Sequence, residues 1–318
     1  MPVQLAQLAE LGRRDLQKGV KLWDPSSVPS VVDRMVGETI TDTQSFIRMA
    51  TYTGPDLPQQ RDPGQAPPET DYRQKATKNF SATKNIIKVR VDDETMKDNQ
   101  YRDKMLQFGK DLRHNDQVKR EIDGVNAFFN FANVTTKIST IGGEAVASST
   151  HSLSAEAAFN YGATTYSNVI ATPATPSPSL LITARKQFVL EVNDKGFLDA
   201  PMGNFNVFCH PTWTIIWQMI LQSSTVYGQV DQPTNKPIQA FTGTVVEVAR
   251  ATHEGWTMFQ TRERMKNPLF VWERNKFSLS PENGMQYEDN DTWWVLAKSR
   301  RVFGAKDYRG LVFNLLGS

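Results

Sequence analysis

The chain has 318 residues, enough for two domains or for one large domain with an insertion. Hydrophobic residues make up 39% and charged residues 22% of it, which excludes a chain that is disordered throughout. The single cysteine, Cys209, excludes an intrachain disulfide framework and any multi-cysteine metal site. The formal net charge of +2 argues against a protein that holds nucleic acid by bulk charge alone.

The first predicted element is an amphipathic helix over residues 3–22. Leu5, Leu8 and Leu16 recur there at helical spacing. The segment Asp24–Pro29 then breaks the pattern, and we expect an extended arm to follow it.

Residues 54–78 are polar and rich in proline and glycine, so they have too little apolar area to build a core. A segment of this length without regular structure is uncommon inside a compact domain unless it is functional or mobile. Apolar and charged side chains then alternate over Asn85–Asp92, which predicts a strand. We therefore expect residues 54–92 to form a long projecting, hairpin-like loop.

The clearest predicted helix begins after Asp98 and ends near Phe129, which makes it about 45 Å long at about 1.5 Å per residue. Its apolar side chains recur at steps of four and three, and the opposite face is charged. A single apolar stripe favours packing along a sheet. The side chains expected in the core are Tyr101, Met105, Phe108, Leu112 and Ile122, with Val118, Val125 and Phe129 on the same two stripes.

The second half of the chain combines short helices and strands, as is typical of an α+β fold. Residues 133–178 look irregular, and helices are predicted over residues 179–192 and 213–223. A turn is expected at Gly304–Lys306. The predicted strands are Phe205–Cys209, Thr244–Arg250, Trp256–Phe259, Leu269–Arg274, Thr292–Lys298 and Tyr308–Phe313.

Charge is distributed unevenly along the chain. Residues 131–240 carry 11 charged side chains, against 39 in residues 1–130. This middle zone is rich in serine, threonine, alanine and asparagine. It is either a Ser/Thr-rich loop region or a domain whose flanks are covered by neighbouring subunits, because the cores of interfaces are depleted of charge.

The sequence predicts no catalytic, metal-binding or cofactor-binding residues. It contains neither a phosphate-binding loop nor a dinucleotide-binding glycine motif, and no two of its four histidines have the spacing of a helix-borne metal site. Cys209 is expected to pack in the core, and His210 is expected to cap or pack at a strand–helix junction. No run of about 18 apolar residues occurs, so no membrane-spanning helix is expected.

The order of these segments resembles the major capsid proteins of tailed bacteriophages, which have the Hong Kong 97-type fold. The resemblance covers most of the chain, and its motifs are persuasive through their order and spacing. The stretches that carry it are Val89–Glu94 before the long helix, Gly142–Ala145 with Ser148–His151, Leu181–Arg185, Asn193–Gly196, Val207–Pro211, and Trp294–Ala297 with Asp307–Gly310.

The resemblance implies a division of the chain into four parts. Residues 1–53 would form an N-terminal helix and arm, and residues 54–92 an extended loop. Residues 93–132 with 245–302 would form a peripheral domain that contains the long spine helix and a long sheet. An inserted axial domain would comprise residues 133–244 with 303–318.

The resemblance also implies a function and partners. The chain would be a shell subunit, not an enzyme, that forms hexamers and pentamers around double-stranded DNA without sequence specificity. A portal protein, and scaffolding and decoration proteins as further candidates, would be its other partners. It would assemble in the cytoplasm of the host bacterium and reside in the virion capsid, with no membrane contact.

Two sets of basic residues are candidates for contacts in such a shell. Loop residues expected to reach acidic groups of a neighbouring subunit are Arg61, Arg73, Lys75 and Lys78. Residues that are candidates to face DNA, although simple solvent exposure explains them equally well, are Arg13, Arg14, Lys18 and Lys21.

Two other classes of protein remain open at this point. A bacterial encapsulin-type nanocompartment shares the fold but would enclose a cargo enzyme instead of a genome. A soluble hydrolase is the non-structural alternative, and it would be a small oligomer.

Overall fold

The structure is a computed structural model. It describes residues 5–52, 74–94, 101–155, 157–160, 162–197, 205–222, 243–260, 267–281, 285–288 and 292–316.

Seven α-helices lie in the described part of the chain, and the four longest were all predicted from the sequence. None of these helices is both long enough and apolar enough to cross a membrane. Their bounds are α1 Leu5–Leu22, α2 Val32–Met35, α3 Tyr101–Phe128, α4 Phe131–Thr136, α5 Ala157–Asn160, α6 Pro178–Val189 and α7 Pro211–Gln222. We call α3 the spine helix.

Thirteen strands are described, and the six predicted in the second half of the chain are confirmed as elements. The expected turn at Gly304–Lys306 is wrong, because the long strand runs on to Ala305. Gly304 serves close approach instead: a Cβ there would lie 2.6 Å from the Phe270 ring. The strands are β1 Glu38–Ile40, β2 Ile47–Tyr52, β3 Gln74–Phe80, β4 Thr83–Asp92, β5 His151–Ser152, β6 Thr165–Tyr166, β7 Phe205–Cys209, β8 Gly243–Glu247, β9 Trp256–Gln260, β10 Leu269–Ser280, β11 Gln286–Glu288, β12 Thr292–Ala305 and β13 Leu311–Asn314.

The larger sheet is built around β12. Strand β4 pairs with it along one edge, and β10 and then β11 pair with it along the other, all antiparallel. Strand β1, from the N-terminal arm, adds to β10 in parallel. Strand β4 therefore belongs to this sheet, and the hairpin next to it consists of β2 and β3 alone.

The second sheet has the order β13-β9-β7-β8. Helices α6 and α7 cover one of its faces, where Trp217 and Trp256 are fully buried. Because β9 pairs with β7 and β13, residues 256–260 belong with this sheet. The sequence division grouped residues 245–302 with the spine helix, whereas these five residues pair with strands of the second sheet. The division into domains itself stays a prediction.

The spine helix packs between the larger sheet and α1. Met105 and Leu112 are buried with Trp293 and Val295 of the sheet. Helix α1 approaches very closely, since a Cβ on Gly19 would collide with the carbonyl oxygen of Leu106. Gly19 of α1 and Gly109 of the spine helix, which has no side chain at the same contact, thus allow the two helices to approach this closely.

Two residues expected in this core are not there. Phe108 is 39% exposed and Ile122 is 38% exposed. The stripe that faces the sheet and α1 instead passes through Gly109 and Arg120, which a search for apolar spacing does not detect. Tyr101 is the first residue of the helix.

We expect Leu112→Ala to lower the free energy of unfolding by about 2–5 kcal/mol, because it leaves a cavity in a packed core. Phe108→Ala should cost about 1 kcal/mol or less, as is usual for an exposed position. Urea denaturation of the two variants tests this. Equal losses would place Phe108 in the core and contradict the orientation of the helix described here.

Candidate assembly surfaces

Arg120 joins the N-terminal arm, the spine helix and the larger sheet. Its side chain, 7% exposed, donates to Asp33 at 2.6 Å and to Glu273 at 2.8 Å. The neighbouring Glu121 accepts the N–H groups of Val31 and Val32 at 2.9 and 3.1 Å, which fixes the start of α2. Burial alone would raise the pKa of Asp33, but the hydrogen bonds from Arg120 and Ser30 have the larger combined effect and bring it below its ordinary value. The carboxyl therefore stays ionised.

The hairpin of β2 and β3 is fastened to its own subunit at its base. Phe80 meets Phe270 edge to face, with ring centroids 5.0 Å apart. Lys78 donates from Nζ to the carbonyl oxygen of Ser139 at 2.8 Å and to its hydroxyl at 2.6 Å. Burial lowers the pKa of Lys78. The base of the hairpin is therefore a fixed part of the fold.

Lys75 also contacts its own chain. It forms an ion pair with Asp194 at 3.2 Å, and Arg309 binds the same carboxylate at 2.7 Å and Asp307 at 2.6 Å. Asp194 lies in a turn closed by Gly196, whose φ of 82° favours glycine. Burial raises the pKa of Asp194, yet Arg309 and Lys75 together bring it below its ordinary value.

A cleft of about 580 Å³ separates the hairpin from the rest of the subunit. Lys75 and Tyr52 line it from the hairpin, and Glu144, Asp194 and Arg309 line it from the opposite wall. The sequence placed Lys75 and Lys78 in contacts with a neighbouring subunit. In the single chain both are engaged internally, Arg61 and Arg73 lie outside the described residues, and the contacts with a neighbour stay a prediction.

Sequence reasoning missed the groups that build the far wall of this cleft. Asp194 and Arg309 appeared only within stretches of family resemblance, and His151 was given no role. The signal that could have found Asp194 is the Asn-Asp-Lys-Gly turn itself, which places an acidic side chain a few residues after α6.

The candidate DNA-facing residues lie on α1. Arg14, Lys18 and Lys21 are exposed, and Arg13 is half-buried. Arg14, Lys18 and Lys21 share the outer side of α1, away from Leu16, which is fully buried against the spine helix and sheet. Arg13 lies nearer to that contact, with its Nε buried. The arrangement presents the charges of the other three residues to solvent, and the contact with DNA stays a prediction.

Helix α7 presents an apolar face. Ile215 is 69% exposed, Met219 is 65% exposed and Ile216 is 38% exposed. The helix contains no charged residue along its 12 positions. Large aliphatic groups in an uncharged exposed stripe are typical of a contact surface.

Cys209 and His210, just before α7, hold structural positions as expected. Burial raises the pKa of the Cys209 thiol to about 11, so it is not a thiolate at neutral pH. His210 accepts the N–H of Thr212 at Nδ1, 3.3 Å away, which caps the first turn of the helix.

No protein-family model and no curated protein matches the sequence. Solved structures do match in fold. A structure from Microbacterium phage Oxtober96 has 14% identity and a TM-score of 0.51 and covers 92% of each chain. The procapsid of bacteriophage JBD30 has 13% identity and a TM-score of 0.50, covering 98% of this chain and 75% of that one.

A third match is the capsid structure of the cyanophage P-SCSP1u, with 11% identity and a TM-score of 0.50. It covers 90% of this chain and 87% of the cyanophage chain. The α+β class is thus that of a capsid fold. The chain has the Hong Kong 97-type fold that its sequence resembles.

We expect Arg309→Met to destabilise the subunit by about 3–5 kcal/mol, because it leaves the carboxylates of Asp194 and Asp307 without their buried partner. Arg309 is 15% exposed, whereas Lys75 is 43% exposed. Lys75→Met should therefore cost only about 0–1 kcal/mol. Urea denaturation at neutral pH tests this, and equal costs would mean that Arg309 does not organise the wall of the cleft.

Proposed function

We propose that this chain is the major capsid protein of a tailed bacteriophage. It is a structural subunit, not an enzyme, and self-assembles into the hexamers and pentamers of an icosahedral shell around double-stranded DNA. The observation that carries the proposal is the extent of the fold match to a solved phage capsid, that of the cyanophage P-SCSP1u, which covers 90% of this chain and 87% of the cyanophage chain. The low charge of residues 131–240 and the apolar face of α7 support it.

The two sheets support a division into peripheral and axial domains. The spine helix and the larger sheet would form the peripheral domain. The sheet of β13, β9, β7 and β8 with α6 and α7 would form the axial domain and bring the face of α7 near the symmetry axis of a capsomer. Residues 1–53 would be the arm, and the segment between β2 and β3 would be the extended loop.

The further partners of the shell are also proposals. Arg14, Lys18 and Lys21 on α1 would face packaged DNA, which they would hold without sequence specificity through its phosphates. A portal protein would occupy one vertex, and scaffolding and decoration proteins are further candidates. Assembly would take place in the cytoplasm of the host bacterium.

An encapsulin-type compartment is the second candidate, because the same fold serves it. Genes adjacent to this one distinguish the two: terminase and portal genes indicate a phage, and a ferritin-like or peroxidase cargo gene indicates a compartment. A soluble hydrolase would be a small oligomer.

Electron microscopy of the expressed full-length protein tests the proposal directly. We expect closed shells, or capsomers that close into shells when a scaffolding protein is supplied. A stable monomer or dimer under both conditions would overturn the assignment as a shell subunit.

A charge on the apolar face of α7 should block assembly without unfolding the subunit. Met219→Glu places a carboxylate at a position that is 65% exposed, so we expect native stability and a loss of most shells. Asn115→Glu, at an exposed position of the spine helix, is the matched control and should assemble normally. Equal assembly of the two variants by sedimentation would show that the face of α7 makes no contact.

Deletion of residues 56–70 tests whether the loop acts between subunits. The segment is polar, so ordering it at about 1–2 kcal/mol per residue requires contacts from a neighbour. We expect the deleted subunit to unfold at a nearly native urea concentration but to give no shells, or shells that fall apart on mild heating. Shells of native thermal stability would assign the loop no role in assembly.

A further inference from the structure

His151 is buried behind the cleft and is surrounded by hydrogen-bond acceptors. Its side chain has no exposed surface. Nδ1 lies 3.1 Å from Glu144 Oε2, and Nε2 lies 3.0 Å from Asn168 Oδ1. The ring of Tyr308 is stacked on the imidazole, with centroids 3.7 Å apart. Which ring nitrogens must carry a proton depends on whether Asn168 and Glu144 act as hydrogen-bond donors or acceptors.

The amide of Asn168 is oriented by its other partners. Its Nδ2 donates to the carbonyl oxygens of Val146 at 2.7 Å and Tyr308 at 3.3 Å, and its Oδ1 accepts the N–H of Ser148 at 3.0 Å. Turning the amide over would set its oxygen against two carbonyls and its NH₂ against an N–H. Oδ1 therefore faces His151, and Nε2 of the ring must donate to it.

Glu144 is likewise an acceptor. Its Oε1 accepts the N–H of Ser152 at 2.9 Å. Burial raises the pKa of Glu144, but hydrogen bonds from Ser152 and His151 outweigh this and lower it, so the group is a carboxylate. A neutral imidazole carries one N–H and one lone pair, so it can satisfy only one of these two acceptors. The doubly protonated ring satisfies both.

We propose that His151 is a protonation switch within the fold. In acidic solution the imidazolium donates to both Glu144 and Asn168, and in alkaline solution the neutral ring keeps Asn168 and loses Glu144. The change transfers one proton between Nδ1 and solvent, which reaches the site along Glu144, 31% exposed on the cleft. It adds or removes one of the two contacts between Glu144 and β5, the other being the hydrogen bond from the N–H of Ser152.

Several charged groups act on the ring besides its two acceptors. Burial lowers the pKa of His151 below its ordinary value, and the hydrogen bonds to Asn168 and Glu144 with the charges of Glu144 and Asp307 offset only part of this. The cation nearest to the stacked Tyr308 is Arg309, which is itself paired with two carboxylates. Charged and titratable groups lie on each of the surrounding segments. They are Glu144 of the loop, Asp194 of the turn after α6, Lys306, Asp307, Tyr308 and Arg309 after β12, and Lys75 of the hairpin.

Glu144→Gln tests the switch, because glutamine keeps the size of the side chain and adds an N–H that a neutral Nδ1 can accept. A carboxylate beside the ring strengthens its hold on the proton, so the pKa of His151 is lower in the variant. The wild type is therefore the more stable protein at pH values below the pKa of its His151, and this difference in stability is lost as the pH rises through that pKa. The folding equilibrium constants should differ up to tenfold per unit of pKa difference.

We expect urea denaturation of the full-length protein to show that the wild type gains stability relative to Glu144→Gln as the pH falls below about 6.5, the ordinary pKa of histidine. At a pH of about 8 the variant should equal or exceed the wild type in stability. His114→Gln, on the spine helix and outside the network, is the matched control and should keep the pH profile of the wild type. A difference between wild type and Glu144→Gln that does not change with pH would overturn the proposal.

Nitrogen NMR of the ring gives a second measurement that requires no variant of the network. The protein has only four histidines, so substitution of His114, His210 and His253 assigns the signal of His151. We expect two N–H groups on His151 in acid and the loss of the proton on Nδ1 in alkali. A ring whose nitrogens do not titrate between these pH values would overturn the proposal, whether or not the chain assembles into shells.

Discussion

The subunit depends on the ion pairs of Arg120. The N-terminal arm meets the larger sheet through the short strand β1 and through Met35, which is buried in one core cluster with Leu269 and Ala305. Arg120 brings Asp33 of the arm and Glu273 of the sheet to one guanidinium on the spine helix. A buried guanidinium requires such partners, so the arm, the helix and the sheet must fold together.

The sequence predicted the elements well because their signals are local. The spacing of apolar residues found the spine helix, and the alternation of apolar and charged residues found strand β4. The orientation of the spine helix was predicted less well. Its packed stripe includes Gly109 and Arg120, a residue without a side chain and a charged one, and neither is apolar. Phe108 and Ile122, which are apolar, are more than a third exposed.

The polar wall of the cleft was beyond the reach of the sequence for a different reason. Asp194 and Arg309 are 115 residues apart, and Glu144 is 24 residues from Asn168, which contacts the other nitrogen of His151. Local periodicity contains no information about such pairs. These groups are close because β13 pairs with β9 in the second sheet. This pairing brings the C-terminal segment back to residues from the middle of the chain, so that the loop after β12 lies beside the turn after α6.

The pairing of β12 has a mechanical consequence. Strand β4 is bonded to it antiparallel over ten consecutive residue pairs, from Thr292 to Arg301, while β10 holds much of its other edge. A pull along the axis of β4 would load these pairs side by side, so several hydrogen bonds would have to break at once. A pull across the sheet would instead separate the pairs one after another. The subunit is therefore stiffest along β12, and a load borne in that direction would pass through the sheet with little deformation.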